Sequence, residues 1–159
     1  DRAAREKARP PPHFKRLVVN RRGHTQCAQG HEGKIIRATA RPYNTFEGVP
    51  FSELHRLADA KSTAKYVMVH AEHDFTTNLP LEDLMKDTVI FADTHNGKPL
   101  TPEHGWPLRL VVPHLYFWKS AKWVIGVELL AEDQPGFWEL NGYHMRGDPW
   151  REERFSHGR

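Results

Sequence analysis

Residues 96–112 read Asn96-Gly97-Lys98-Pro99-Leu100-Thr101-Pro102-Glu103-His104-Gly105-Trp106-Pro107-Leu108-Arg109-Leu110-Val111-Val112. Asn96-Gly97 is the strongest hairpin signal in the chain, because both residues tolerate the positive φ that a two-residue turn demands. Residues 108–112 form an apolar run of the kind that becomes a short strand. Between them, Gly105 and Pro107 shape a fixed turn flanked by His104 and Arg109. A guanidinium in such a place can grip a phosphate bidentately, and an imidazole can donate one directed bond. The competing reading is a salt-bridged surface Arg109 with a His104 that merely fills the turn.

Working outward, Lys119-Ser120-Ala121-Lys122 lies between the aromatic run Tyr116-Phe117-Trp118 and a strand predicted over residues 123–130. Two ammonium groups, a hydroxyl and turn amides between apolar walls form an anion cradle. The same residues serve equally well as a strand cap with solvated lysines. Two anion-friendly loops in one small domain favour a phosphorylated or pterin-like ligand.

Upstream, Ser52 is a plausible N-cap for a helix over residues 52–60. Residues 65–70 and 88–92 are β-branched and apolar and read as strands, with a helical turn at 81–86 after Pro80. Residues 133–159 lack periodicity but carry Phe137, Trp138, Tyr143, Trp150 and Phe155, aromatics expected to pack down over the domain. Short strands and short helices without regular alternation predict an α+β fold.

The chain divides by charge. Residues 1–42 hold 11 Lys and Arg against 3 Asp and Glu, and the rest hold 12 against 17, so the pI belongs to the N-terminal segment. That segment, with Pro10-Pro11-Pro12, reads as a basic, atypical leader, disordered or non-native, in which Leu17-Val18-Val19 and Ile35-Ile36 could form short strands. The organisation expected is a leader at 1–42 and a domain at 43–159. Nucleic acid is a weak second reading of the basic arm.

One cysteine excludes an internal disulfide and a Cys-based zinc finger. No apolar run approaches the ~20 residues of a membrane span. No signal peptide is visible, so a cytoplasmic protein is expected. The 11 histidines invite a metal reading, but neither His70/His73 nor His24/His31 has the helical zinc spacing, and His70 is expected to be a satisfied core histidine. Cys27, in a polar stretch, reads as an inert thiol. No Gly-x-Ser-x-Gly, P-loop or Gly-x-Gly-x-x-Gly occurs.

From Tyr43 to about Phe155 the chain resembles the molybdopterin-binding domain of sulfite-oxidase-like oxidoreductases. The blocks that carry the likeness are Phe46-Glu47-Gly48-Val49-Pro50-Phe51, Thr76-Thr77-Asn78-Leu79-Pro80-Leu81, residues 100–113, Phe117-Trp118-Lys119-Ser120-Ala121-Lys122-Trp123, and Gly136-Phe137-Trp138-Glu139 with Gly142-Tyr143-His144. The resemblance implies a sulfite-oxidase-type fold of mixed sheets and short helices. It also implies a molybdenum-molybdopterin cofactor and oxygen-atom transfer on a small oxyanion or sulfoxide, with electrons exchanged through a separate protein. His104 and Arg109 look like the family's cofactor-holding pair. Ser120, Ala121 and Lys122 look like its second cofactor loop, with Lys119 close by. Tyr143 resembles the active-site tyrosine, and residues 71–74 another cofactor-lining loop.

The chain departs from the family where the metal ligand belongs. The His-Cys-Val-Thr-like motif expected about a dozen residues before Glu47 is absent, and Ile35-Ile36-Arg37-Ala38-Thr39 holds no cysteine. Either Cys27, upstream and without that motif's neighbours, takes the metal, or the chain is a remnant that keeps an anion and pterin pocket without a metal ligand.

Overall fold

The computed structural model describes residues 16–20, 25–28, 44–58 and 63–156. Within them nine strands form two antiparallel sheets. The first holds β1 (Arg16–Asn20), β2 (Thr25–Ala28), β3 (Thr45–Pro50), β6 (Ile90–His95) and β7 (Lys98–Pro99) in the order β2-β1-β3-β6-β7, with β8 (Arg109–Val111) also paired to β6. The second holds β4 (Tyr66–Ala71), β5 (Thr76–Pro80) and β9 (Val124–Leu130) in the order β5-β4-β9. Helices α1 (Phe51–Leu57), α2 (Leu81–Leu84) and α3 (Phe137–Leu140) are short, as the α+β expectation requires.

Strand β6 is buried on both faces. Phe91 joins the main core with Phe51, Val67, Leu79, Leu84 and Leu110, while Ile90 and Ala92 point into a second cluster with Phe46, Leu100 and Val111. Adjacent residues of a strand face opposite sides, so a continuous apolar run is what a doubly covered strand requires. At the end of β6, Asn96 and Gly97 take φ of 50° and 73° and close the hairpin with His95 opposite Lys98. The Asn96 side chain accepts a hydrogen bond from the Thr45 amide at 2.9 Å, which locks the turn to β3. Across β3, a Cβ at Gly48 would overlap the Phe91 carbonyl oxygen, so the close approach of β3 and β6 requires glycine there.

Sequence boundaries shift in instructive places. Helix α1 starts at Phe51 behind Pro50, not at a Ser52 cap: the Phe51 amide donates to the Val89 carbonyl at 3.2 Å, so a neighbouring strand end meets a donor that a side chain would otherwise cap. The strand expected at 88–92 begins two residues later because the Val89 amide is spent in a turn on Lys86, and it runs on to the hairpin. Leu17-Val18-Val19 does form a strand, β1, paired to β3. Ile35-Ile36 lies outside the described residues, as do residues 59–60 of the expected helix. Of the C-terminal aromatics, Trp138, Tyr143 and Phe155 pack together, but Trp150 is 89% exposed.

A fully buried carboxylate, Asp83 of α2, gathers Arg146 at 2.8 Å, Lys86 at 2.7 Å and His114 at 3.1 Å, pinning the C-terminal segment to α2. Burial alone would raise its pKa, but hydrogen bonds from His114, Arg146 and Lys86 outweigh it and hold the carboxyl well below the ordinary 3.8. A depressed folded-state pKa stabilises above the unfolded value and loses that contribution as pH falls through and below it. Asp83→Asn is therefore expected to cost about 3 kcal/mol at pH 7 in urea unfolding. The gap between variant and wild type should narrow as the pH is lowered below about 4.

Candidate cofactor site

Arg109 opens β8, and its whole residue is 2% exposed. Its guanidinium donates to the His104 carbonyl at 3.2 Å and to the Ser120 carbonyl at 3.4 Å, and lies 4.8 and 5.1 Å from the ring centroids of Phe46 and Phe117. Its Nε is buried with no partner among the described residues. No carboxylate pairs with it there, so burial pulls its pKa down to about 10. A buried cation without a counter-charge is costly, and this one is retained at a strand mouth, as an anion-binding group would be. It is not the salt-bridged surface arginine of the competing sequence reading.

His104 ends the 3-10 turn Pro102–His104, whose C-cap Gly105 has φ 99°. A Cβ at Gly105 would come within 2.9 Å of the Lys122 side chain and 3.1 Å of Arg109, so glycine lets the two cationic loops meet. One ring nitrogen of His104, Nδ1, hydrogen-bonds the Thr101 hydroxyl at 2.9 Å. Lys122 reaches across to the Glu103 carbonyl at 3.1 Å, with its ammonium 4.5 Å from the Trp123 ring centroid. The nearby Glu103 carboxylate is fully exposed and held below its ordinary pKa, first by a hydrogen bond from Thr101, with smaller help from the charges of His104 and Lys122. Trp123 sits at φ 54°, a strained conformation for a bulky residue, held by its indole N–H on the Pro102 carbonyl at 2.8 Å and by its own carbonyl, which accepts from the Glu72 amide.

Ser120 and Ala121 are buried between these groups. The Ser120 hydroxyl accepts from the Val112 amide at 2.9 Å, and the Ala121 carbonyl accepts from the Leu110 amide. The amides of Ala121 and Lys122 donate to no protein group among the described residues. The structure thus brings together His104, Arg109, Ser120, Ala121 and Lys122.

It places Lys119 and Tyr143 differently. Lys119 is fully buried, and its ammonium is surrounded by the Asn78 carbonyl at 2.7 Å, the Asn78 side chain at 2.9 Å, the Met145 carbonyl at 2.6 Å and Glu139 at 2.7 Å. Burial pushes its pKa down against the pull of Glu139, Asp133 and Asp83. Its three N–H bonds face four protein oxygens, which leaves none for a ligand. Tyr143 packs against Trp118, Trp138 and Phe155, with centroids 4.9, 5.0 and 5.2 Å away. In the 3-10 turn Phe117–Lys119, Phe117 meets Arg109 while Trp118 meets Tyr143.

Cys27 lies in β2 rather than in a loop, opposite Leu17. Leu17 pairs Gly48, Gly48 pairs Ala92 and Ala92 pairs Arg109, so the backbones of Cys27 and Arg109 end one rung of the sheet. That is four strand spacings, ~19 Å along the sheet. Residues 71–74 span the last residue of β4 and most of the tight turn into β5, with His73 and Asp74 both at positive φ and the His73 ring edge-on to Trp123. His70 is no core histidine: 40% exposed at its side chain, it pairs with Glu128 at 3.1 Å across to β9. Among the described residues no cluster of three metal-ligating side chains occurs, and no helix is long and apolar enough to cross a membrane.

His95, which no sequence motif singles out, also stands beside these groups. Its ring stacks on Phe46 at 4.7 Å and on His104 at 4.3 Å, and its Nε2 meets the Asn44 side chain at 2.9 Å. The Asn96-Gly97 turn next to it was the available clue.

The two antiparallel sheets and short helices make a small α+β domain in which the loops around β8 meet at a buried guanidinium without a carboxylate partner among the described residues. The chain belongs to the oxidoreductase molybdopterin binding domain family, whose family model matches residues 15–138. It is 57% identical over 113 residues to the uncharacterized oxidoreductase YuiH of Bacillus subtilis (strain 168), covering 71% of this chain and 57% of that protein. It is 27% identical over 133 residues to the NADPH nitrate reductase of Beauveria bassiana, covering 79% of this chain and 14% of that enzyme. The crystal structure of the sulfane dehydrogenase SoxCD from Paracoccus pantotrophus matches with a TM-score of 0.59 and 26% identity, over 76% of this chain and 33% of that one. The chain therefore spans little more than half of YuiH and smaller shares of the other two.

The two lysines of the loop should separate by experiment. Lys119→Met leaves Glu139 buried without its cation and is expected to cost about 3–5 kcal/mol in chemical unfolding. Lys122→Met should stay within about 0.5 kcal/mol of wild type in the same measurement.

Proposed function

We propose that His104, Arg109, Ser120, Ala121 and Lys122 hold the phosphate-bearing pterin of a molybdenum cofactor. The protein to which this chain belongs would then catalyse oxygen-atom transfer on a small oxyanion or sulfoxide. The observation that carries this reading is the buried Arg109 guanidinium, with its orphaned Nε and no carboxylate partner among the described residues. An anion supplied from outside is the counter-charge that such a group requires. The donor set fits the group: a guanidinium, an ammonium, an imidazole and two turn amides suit a phosphate and the polar edge of a pterin.

When bound, the cofactor supplies two-electron redox chemistry at molybdenum. This chain's own residues bind and orient it. Arg109, set against Phe46 and Phe117, meets the anion in a fixed plane, and Lys122 neutralises charge from the opposite loop. Lys119 supports the loop from behind. Tyr143, whose hydroxyl has no partner among the described residues, is the candidate hydrogen-bond donor on the substrate side. A separate protein or domain delivers or removes the electrons.

The metal ligand defines a second reading. Cys27 is the sole thiol of the sequence, and its backbone stands across three intervening strands from Arg109. That separation favours a pocket that keeps anion and pterin while no thiolate reaches the metal. Molybdenum per chain, with pterin fluorescence after oxidative release, separates the two in protein from a cofactor-producing host. Near-stoichiometric metal, lost in Cys27→Ser with pterin retained, makes Cys27 the ligand. Pterin without metal selects the second reading.

Arg109→Met tests the pocket itself. Removing a charge that is buried without compensation should change folding stability by less than about 1 kcal/mol. Pterin retention should fall at least tenfold, since a charged hydrogen bond contributes about 1.5–3 kcal/mol. Equal loss of stability and retention would contradict the assignment.

A further inference from the structure

We infer that His95 is a positioning residue of the anion pocket, acting through His104; this rests on the pterin-phosphate reading above. Three rings form one stack, Phe46, His95 and His104, with centroid spacings of 4.7 and 4.3 Å and interplanar angles of 24° and 28°. Each end of the stack belongs to the pocket: Phe46 lies under the Arg109 guanidinium, and the His104 carbonyl accepts from the same guanidinium. His95 is the middle plate.

The plate itself is fixed. It ends β6 immediately before the Asn96-Gly97 turn, which is tied to β3 through Thr45, and its Nε2 is engaged by Asn44 at 2.9 Å. Burial, and then the charges of His104 and Arg109, push the His95 pKa down, so the ring is neutral at pH 7 and stacks on His104 without adding repulsion. His104 is thereby held on one face by His95 and at Nδ1 by Thr101. Its Nε2 is left without a protein partner among the described residues, and with Nδ1 held on Thr101 it is the ring nitrogen that can donate to an anion when it carries a proton. A ring fixed on a face and an edge has one orientation for that nitrogen, and binding need not fix it anew.

Two substitutions that keep bulk separate stacking from hydrogen bonding. His95→Phe keeps the plate and loses the bond to Asn44; His95→Gln keeps an Asn44 partner and loses the plate. The full chain is titrated with inorganic phosphate, followed at the labelled His104 imidazole by NMR. His95→Phe should hold phosphate within about twofold of wild type with an unchanged His104 signal. His95→Gln should weaken it about fivefold, as loss of the ring contact that orients His104 implies, and shift that signal. Unchanged affinity in His95→Gln, or equal loss in both variants, overturns the inference. Arg109→Met in parallel isolates the parent reading: if it binds phosphate as wild type does, or if wild type binds none, the pocket assignment fails. If Arg109→Met loses binding while His95→Gln does not, the role of His95 alone fails.

Discussion

The Lys119 ammonium sits among oxygens of Asn78, Met145 and Glu139, wholly out of water. Those partners come from β5, from the C-terminal segment and from α3, three parts of the chain that share no strand pairing. Desolvating an ammonium is tolerable only when its hydrogen bonds are satisfied and its charge is paired, so the three parts must arrive together. Lys119 stands immediately before Ser120, Ala121 and Lys122. Anchoring it sets where that loop lies, and with it the carbonyl of Ser120 on which Arg109 leans.

Among the described residues two buried cations meet opposite fates. Lys119 is neutralised from within, and Asp83 performs the mirror role for Arg146, Lys86 and His114. Arg109 has aromatic faces and carbonyls around it but no carboxylate among the described residues. Polar groups that fold for stability alone are paired as Lys119 is. A group kept dry and unpaired stores an electrostatic demand that a ligand can meet. The strained backbone of Trp123 beside Lys122, and the required glycine at 105, lie on the same side of that distinction.

Much of the fold was legible because its signals are local. Asn96-Gly97 makes its hairpin from its own φ preferences, and the apolar runs at 65–70 and 123–130 become strands because β-branched side chains suit a pleated sheet. Boundaries moved where a non-local hydrogen bond replaced a local one, as the Val89 carbonyl replaced a Ser52 cap at α1. At the site, His104, Arg109, Ser120, Ala121 and Lys122 lie together in space. Lys119 shares their loop but turns inward, a choice that adjacent positions in a sequence do not reveal.

The sequence by itself determined which residue types stand at the strand mouths and which turns bend the chain there, because φ preference and hydrophobic pattern act over a few residues. Only the tertiary structure decided which charges are paired. Asn78 and Lys119 are 41 positions apart, and Asp83 and Arg146 are 63 apart. His95 stacks on Phe46 and His104 because β6 brings its own hairpin against β3. Pairing, burial and ring stacking depend on distances through space, and those exist only once the sheets have assembled around β6.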